Sequence, residues 1–159
     1  LPVKLMKTRG PCVVDNFLPL HKATVHRTAS QASIDAGKAV TVLTYLHGTK
    51  EAEDAIDQLN AEGYDCDLVE LTCLKPFDAE TVRTSLARTH KVCILDESTR
   101  SGGVGATMSA LVAETMFDEL DAPVSRLCME DAPVPYATEM ERAMVKRAAD
   151  LVEGVKAMC

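Results

Sequence analysis

The sequence predicts an α/β fold in three layers, α/β/α, with a mostly parallel sheet covered on both faces. Three observations predict it. Five short apolar runs rich in β-formers alternate with helix-period segments along the 159 residues. The stretch from Lys91 to Leu120, KVCILDESTRSGGVGATMSALVAETMFDEL, reads as strand, glycine loop, helix, the order an α/β sheet needs at the carboxyl end of a strand. Hydrophobic residues make up 47% of the chain and aromatics only 4%, so the core is aliphatic.

Leu1–Leu20 carries three prolines and mixed polarity, and reads as an extended arm preceding a domain over 21–159. Lys22–Arg27 is a short strand, Thr28–Lys38 a small polar loop, and Ala39–Tyr45 (AVTVLTY) a buried β-branched strand. From Gly48 to Glu62, Ala52, Ala55, Ile56 and Leu59 recur at helical spacing with acids near the start, and Gly63 caps the end. Strand Cys66–Leu71 follows, then a helix with Asp78 as N-cap and Val82 and Leu86 inward, then strand Lys91–Asp96. After the Ser98–Gly105 loop, Val104, Met108, Leu111, Val112 and Met116 form one stripe, and Ala106, Ala110, Ala113, Phe117 and Leu120 a second. Only Thr107, Glu114 and Asp118 mark a polar line. Such a helix is buried on two sides, one against the sheet and one against another chain or domain. Ala122–Cys128 is the last strand, the spacing of Thr138–Glu141 (TEME) matches a capping box, and a helical stripe runs on toward Cys159.

A net charge of −7 argues against nucleic-acid binding, which needs clustered Lys and Arg. No run approaches the roughly 18 apolar residues of a membrane span, so a soluble chain is expected. Leu1 is not an initiator Met and no signal-peptide core follows, which reads as a processed or truncated chain. The six cysteines lack zinc or redox spacing, and Cys66, Cys93 and Cys128 fall in strands, where a reduced thiol acts as a small hydrophobe.

For chemistry, Asp96, Glu97, Arg100 and Gly102, Gly103 and Gly105 lie where open α/β sheets place ligands, and a helix N-terminus there offers amides to an anion. As a nucleotide signature the loop is weak, because it lacks the P-loop Lys and Ser/Thr. The favoured reading pairs Arg100 with a carboxylate and uses the glycines for close packing. His47 follows a core strand without a visible nucleophile partner, and Ser98, Ser101 and Cys73 lack an activating base. No complete active site is visible.

At LKPFD (Leu74–Asp78), HKVCILDESTRSGGVGA (His90–Ala106), LDAPV (Leu120–Val124) and DAPVPYA (Asp131–Ala137), in that order, the chain closely resembles the carboxyl-terminal domain of pyruvate dehydrogenase E1 β subunits, of plastid and cyanobacterial type. This is the transketolase carboxyl-terminal-like domain. The resemblance implies a five-stranded mixed sheet whose first strand runs against the others, and a plastid stromal location. It implies that thiamine diphosphate and magnesium belong to missing domains or partners of a complete enzyme, so this chain alone is expected to be inactive. It further implies association with E1 α and β subunits and capture of the subunit-binding domain of the E2 acyltransferase. Asp121 is put forward for that capture, with the terminal carboxylate of Cys159 and, on the helix before it, Glu114 and Asp118.

Three departures qualify the resemblance. LHGTKE puts Leu46, Gly48 and Glu51 where family members carry a Ser or Arg and then a His, which suggests relaxed catalytic constraint. Lys146 replaces a proline before the last helix, leaving one continuous or one broken helix open. The Thr28–Gly37 loop is longer than usual. Two functions are therefore carried: an E1β assembly domain, or a truncated homologue repurposed as a non-enzymatic accessory subunit of a large organellar complex.

Overall fold

Five short runs become five strands, joined mostly by helices. The structure, a computed structural model, describes Pro19 and residues 21–159. The arm expected over 1–20 thus lies, apart from Pro19, outside the described residues. In chain order the elements are β1 (Thr24–Arg27), α1 (Gln31–Asp35), β2 (Ala39–Thr44), α2 (His47–Asn60), β3 (Asp65–Glu70), α3 (Ala79–Thr89), β4 (Val92–Thr99), α4 (Val104–Thr115), a 3₁₀ turn (Phe117–Glu119), β5 (Ser125–Met129), α5 (Thr138–Met144) and α6 (Ala148–Met158). The sheet order is β1-β3-β2-β4-β5. Val42 pairs with Leu68 on one side and Cys93 on the other, both parallel, while β1 runs antiparallel to β3 through Val25 and Val69. The mixed sheet is therefore the expected one.

Period-2 alternation sends the core to two faces. Val40, Val42, Cys66, Leu68, Cys93 and Leu95 pack on Ile56 and Leu59 of α2 and on Leu151 and Val155 of α6. Leu43, Val69, Val92 and Ile94 pack on Val82 and Leu86 of α3, on Met108 and Val112 of α4 and on Met116 just beyond it. Cys66, Cys93 and Cys128 are buried and reduced in strands, and burial pushes the Cys93 thiol up to about 12. No helix among the described residues is long and apolar enough to cross a membrane.

The caps explain where the chain turns. Asp78 takes the Thr81 N–H and Thr81 hydroxyl at the start of α3, as expected, and also the Ala23 N–H at 2.8 Å, which ties the entry of β1 to α3. Beyond α2 the Gly63 N–H bonds Asn60 O and the Tyr64 N–H bonds Leu59 O, a Schellman arrangement with Gly63 at φ +80°.

Two local readings change, and one left open is decided. The polar loop Thr28–Lys38 contains one helical turn, α1, because Ser30 caps it through the Ser33 N–H and β3 carboxylates hold its entry. There Asp67 takes the Ala29 N–H at 2.7 Å and Asp65 the Ser30 N–H at 2.9 Å. Thr138 is the first residue of α5 rather than its cap, and Ala137, which occupies that position, makes no side-chain cap bond. The last helix is broken without a proline: Val145 and Arg147 are extended, and the amides of Arg147 and Ala148 bond Asp150 (2.8 Å) and Glu51 (3.0 Å) instead of continuing the helical ladder.

Candidate functional site

At the carboxyl end of β4 an anion does sit on the N-terminus of α4, and it belongs to the chain itself. One Asp96 oxygen accepts from the Ser98 N–H at 2.8 Å and the Tyr45 hydroxyl at 2.6 Å. The other accepts from the Ser98 hydroxyl at 2.5 Å and the Gly105 N–H at 2.6 Å. Burial pushes the Asp96 carboxyl up, but the Ser98 and Tyr45 hydroxyls and the Ser98 and Gly105 amides outweigh it and hold the group below the usual carboxylate range. The Tyr45 phenol is raised in turn, first by burial and then by its bond to Asp96.

Close packing around that carboxylate is what the glycines permit. A Cβ on Gly105 would meet Asp96 Oδ2 at 2.7 Å, and one on Gly103 would meet Ser98 Oγ at 2.1 Å and Thr99 O at 2.3 Å. Arg100 does not play the part expected of it. Among the described residues no carboxylate lies within ion-pair range of its exposed guanidinium, and the carboxylate at the loop, Asp131, bonds the Ser101 N–H (2.7 Å) and hydroxyl (2.5 Å) instead. Ser101 can reach because β5 pairs with the end of β4, through Thr99 and Met129. Asp96 takes the Gly105 amide and the Ser98 hydroxyl oxygen takes that of Val104, so these two donors of the α4 N-terminus are already bonded within the chain. Among the described residues no group of three or more His, Cys, Asp or Glu is placed to hold a metal ion.

The helix behind the loop divides as its two stripes require. Met108, Val112 and Met116 are buried on the sheet, whereas Ala110 and Ala113 are exposed and Phe117 is 71% exposed. Ala113, Phe117, Leu120, Pro123 and Val124 line a groove of about 400 Å³ with Asp121 at its edge. The Asp121 N–H bonds His90 O at 2.8 Å, and His90 Nδ1 lies 3.0 Å from Glu119 O, so the left-handed cap of α3 fixes the groove's floor. Arg83 bonds Thr115 O and lies 3.6 Å from Glu119, while Glu114, Asp118 and Asp121 are exposed with no ion-pair partner among the described residues. Cys159 ends α6, whose core residues pack with α2 on the opposite face of the sheet from α4. Within one chain, then, the acids of α4 share a surface and Cys159 stands apart from it.

A second grouping was not legible. His47 opens α2 with Nδ1 3.3 Å from Glu97 and 4.0 Å from Glu51, without the alignment of a hydrogen bond, and Arg147 reaches Glu51 at 3.0 Å. No local pattern signals a pair 96 positions apart. No Ser or Cys hydroxyl or thiol bonds an imidazole among the described residues.

Comparison with known proteins settles the family. The family model described as transketolase, C-terminal domain, matches residues 30–151. The chain belongs to the transketolase C-terminal domain family. Within it, the pyruvate dehydrogenase E1 component subunit beta of Porphyra purpurea is 37% identical over 140 residues, covering 88% of this chain and 40% of the relative. The chloroplastic subunit beta-3 of Oryza sativa subsp. japonica is 37% identical over 123 residues, and the chloroplastic subunit beta-2 of Arabidopsis thaliana 38% over the same length. Those matches span 32% and 30% of the relatives, so this transketolase C-terminal domain chain corresponds to about a third of their length. A solved split gene transketolase, an inactive beta4 tetramer, superposes with a TM-score of 0.71 at 25% identity over 91% of this chain and 43% of its own.

Proposed function

We propose that this chain is the carboxyl-terminal assembly domain of a pyruvate dehydrogenase E1 β-like protein, non-catalytic by itself, located in the plastid stroma. It associates with E1 subunits and receives the subunit-binding domain of E2. The observation that carries this reading is the outer face of α4, where Phe117 and the adjoining apolar groove stand exposed beside Glu114, Asp118 and Asp121, none of them ion-paired among the described residues. An apolar centre with a charged rim is the composition of a protein interface, and unpaired acids select a basic module and speed its capture. Asp121 is the charge nearest the groove. Cys159, at the end of α6 on the far face, joins the same contact only from a neighbouring subunit. Thiamine diphosphate and magnesium belong to the remaining parts of the enzyme.

Purification of the native protein with identification of its companions tests the reading. Co-elution with E1α and E2 is expected, and a stable complex without thiamine enzymes contradicts it. In that assembly Asp121→Ala weakens E2 capture by about 1–3 kcal/mol. Unchanged affinity removes Asp121 from the contact. The second reading, an accessory subunit of another large plastid complex, is favoured by the carboxyl end of the central strand β2, where exposed Leu46 stands at φ 52°, ψ −121° in the altered LHGTKE segment.

A further inference from the structure

The carboxyl ends of β2, β4 and β5 border a groove of about 390 Å³ that the α4 surface does not include. Met129, Val134 and Val145 supply its apolar wall. Its polar side chains are two carboxylates, Glu97 and Glu141, with His47 and Arg147. Glu97 has a 40% exposed side chain whose one basic neighbour among the described residues is His47, and Glu141 has no ion-pair partner among them. Arg147, the one arginine in the lining, is already bonded to Glu51. Beside the groove in sequence stand exposed Leu46 (65%), Tyr136 (104%) and Met140 (60%). Leu46 is held at φ 52°, an unfavourable conformation for a residue with a Cβ, and its side chain is turned outward rather than into the core.

We propose that this groove is a docking site for a segment of a partner protein that presents an arginine or lysine between apolar residues. The head group donates to Glu97 and Glu141, its aliphatic stem lies along Val134 and Val145, and the flanking apolar residues meet Leu46 and Tyr136. Charge complementarity chooses this occupant: with Arg147 bonded to Glu51, a phosphate, a nucleic acid or an acidic peptide meets the carboxylates of Glu97 and Glu141 with only His47 beside them, and a purely apolar segment desolvates both without adding a donor. The site does not depend on the α4 surface, so either can fail without the other.

The test is an NMR titration of the isotope-labelled full chain with the peptide Ac-Leu-Arg-Leu-NH2 and its uncharged counterpart carrying citrulline in place of arginine. The arginine peptide is expected to give saturable shifts at Leu46, Glu97, Val134 and Glu141, with affinity about tenfold above the citrulline peptide. The double variant Glu97→Gln, Glu141→Gln is expected to lose about tenfold while keeping the dispersion of the native spectrum. No saturable shift at these residues up to about 10 mM, equal binding of the two peptides, or shifts mapping elsewhere would overturn the proposal. Because the peptide pair is compared on the unaltered protein, the conclusion stands even where the double variant does not fold.

Discussion

Replacing Asp96 by Asn tests whether the internal anion at α4 sets the geometry of the outer surface. Both Asp96 oxygens accept a backbone N–H: Oδ1 from Ser98 and Oδ2 from Gly105. Asn keeps one oxygen, so in either rotamer its amide NH2 faces a buried or half-buried N–H, and a donor meets a donor. That leaves at least one amide unsatisfied, about 1–3 kcal/mol, and removes a negative charge from the start of a helix, about 0.5–2 kcal/mol. The expected loss is about 2–4 kcal/mol, a large fraction of the ~5–15 kcal/mol stability of a domain this size. Urea denaturation followed by circular dichroism measures it, with the slope unchanged and the midpoint lowered. A change below about 0.5 kcal/mol would refute the reasoning, because it would mean that water replaces the carboxylate without cost.

Three further outcomes follow from the same structure. The folded-state carboxyls of Asp96 and Asp78 lie below their unfolded values, so the stability they contribute is present above the unfolded pKa of about 4 and is lost as pH falls through the folded values; denaturation series from pH 7 to about pH 2 should show that loss only at the acid end, and a flat profile would contradict it. Asp67 is 1% exposed and bonded to Arg88, Ser85 and the Ala29 N–H, so Asp67→Ala leaves the Ala29 N–H and the Ser85 hydroxyl without their acceptor and should cost about 1–3 kcal/mol by chemical denaturation, whereas a loss under about 0.5 kcal/mol removes it as the anchor of α1. Gly105→Ala puts a methyl 2.7 Å from Asp96 Oδ2, and a calorimetric destabilisation of about 1–3 kcal/mol is expected; a neutral result would mean the loop gives way freely.

The strands were legible because β-branched runs such as AVTVLTY have no competing helical period, and Asp78 was legible because its partner is three residues away. The stripes of α4 were equally plain from spacing alone, since Met108 and Val112 and the opposed Ala110 and Ala113 obey one period. Interactions across the fold were not. Ser30 caps α1 only because β3 brings Asp65 and Asp67 beneath it, and the last helix breaks because Glu51 offers an acceptor from α2. The sequence offered the amides of the glycine loop to an anion and favoured close packing, but gave no sign that the loop packs on Asp96, which sits nine residues before the amide it takes. The cluster of His47, Glu51, Glu97 and Arg147 is assembled entirely by topology, as is the outward placement of Leu46.

The central claim is that the outer face of α4 is where this domain meets other proteins. Hydrogen–deuterium exchange on the purified native assembly, compared with the isolated chain, measures that directly. Slowed exchange concentrated in Ala110–Val124 is the predicted result. Protection elsewhere on the surface, with Ala110–Val124 exchanging as in the isolated chain, would contradict it.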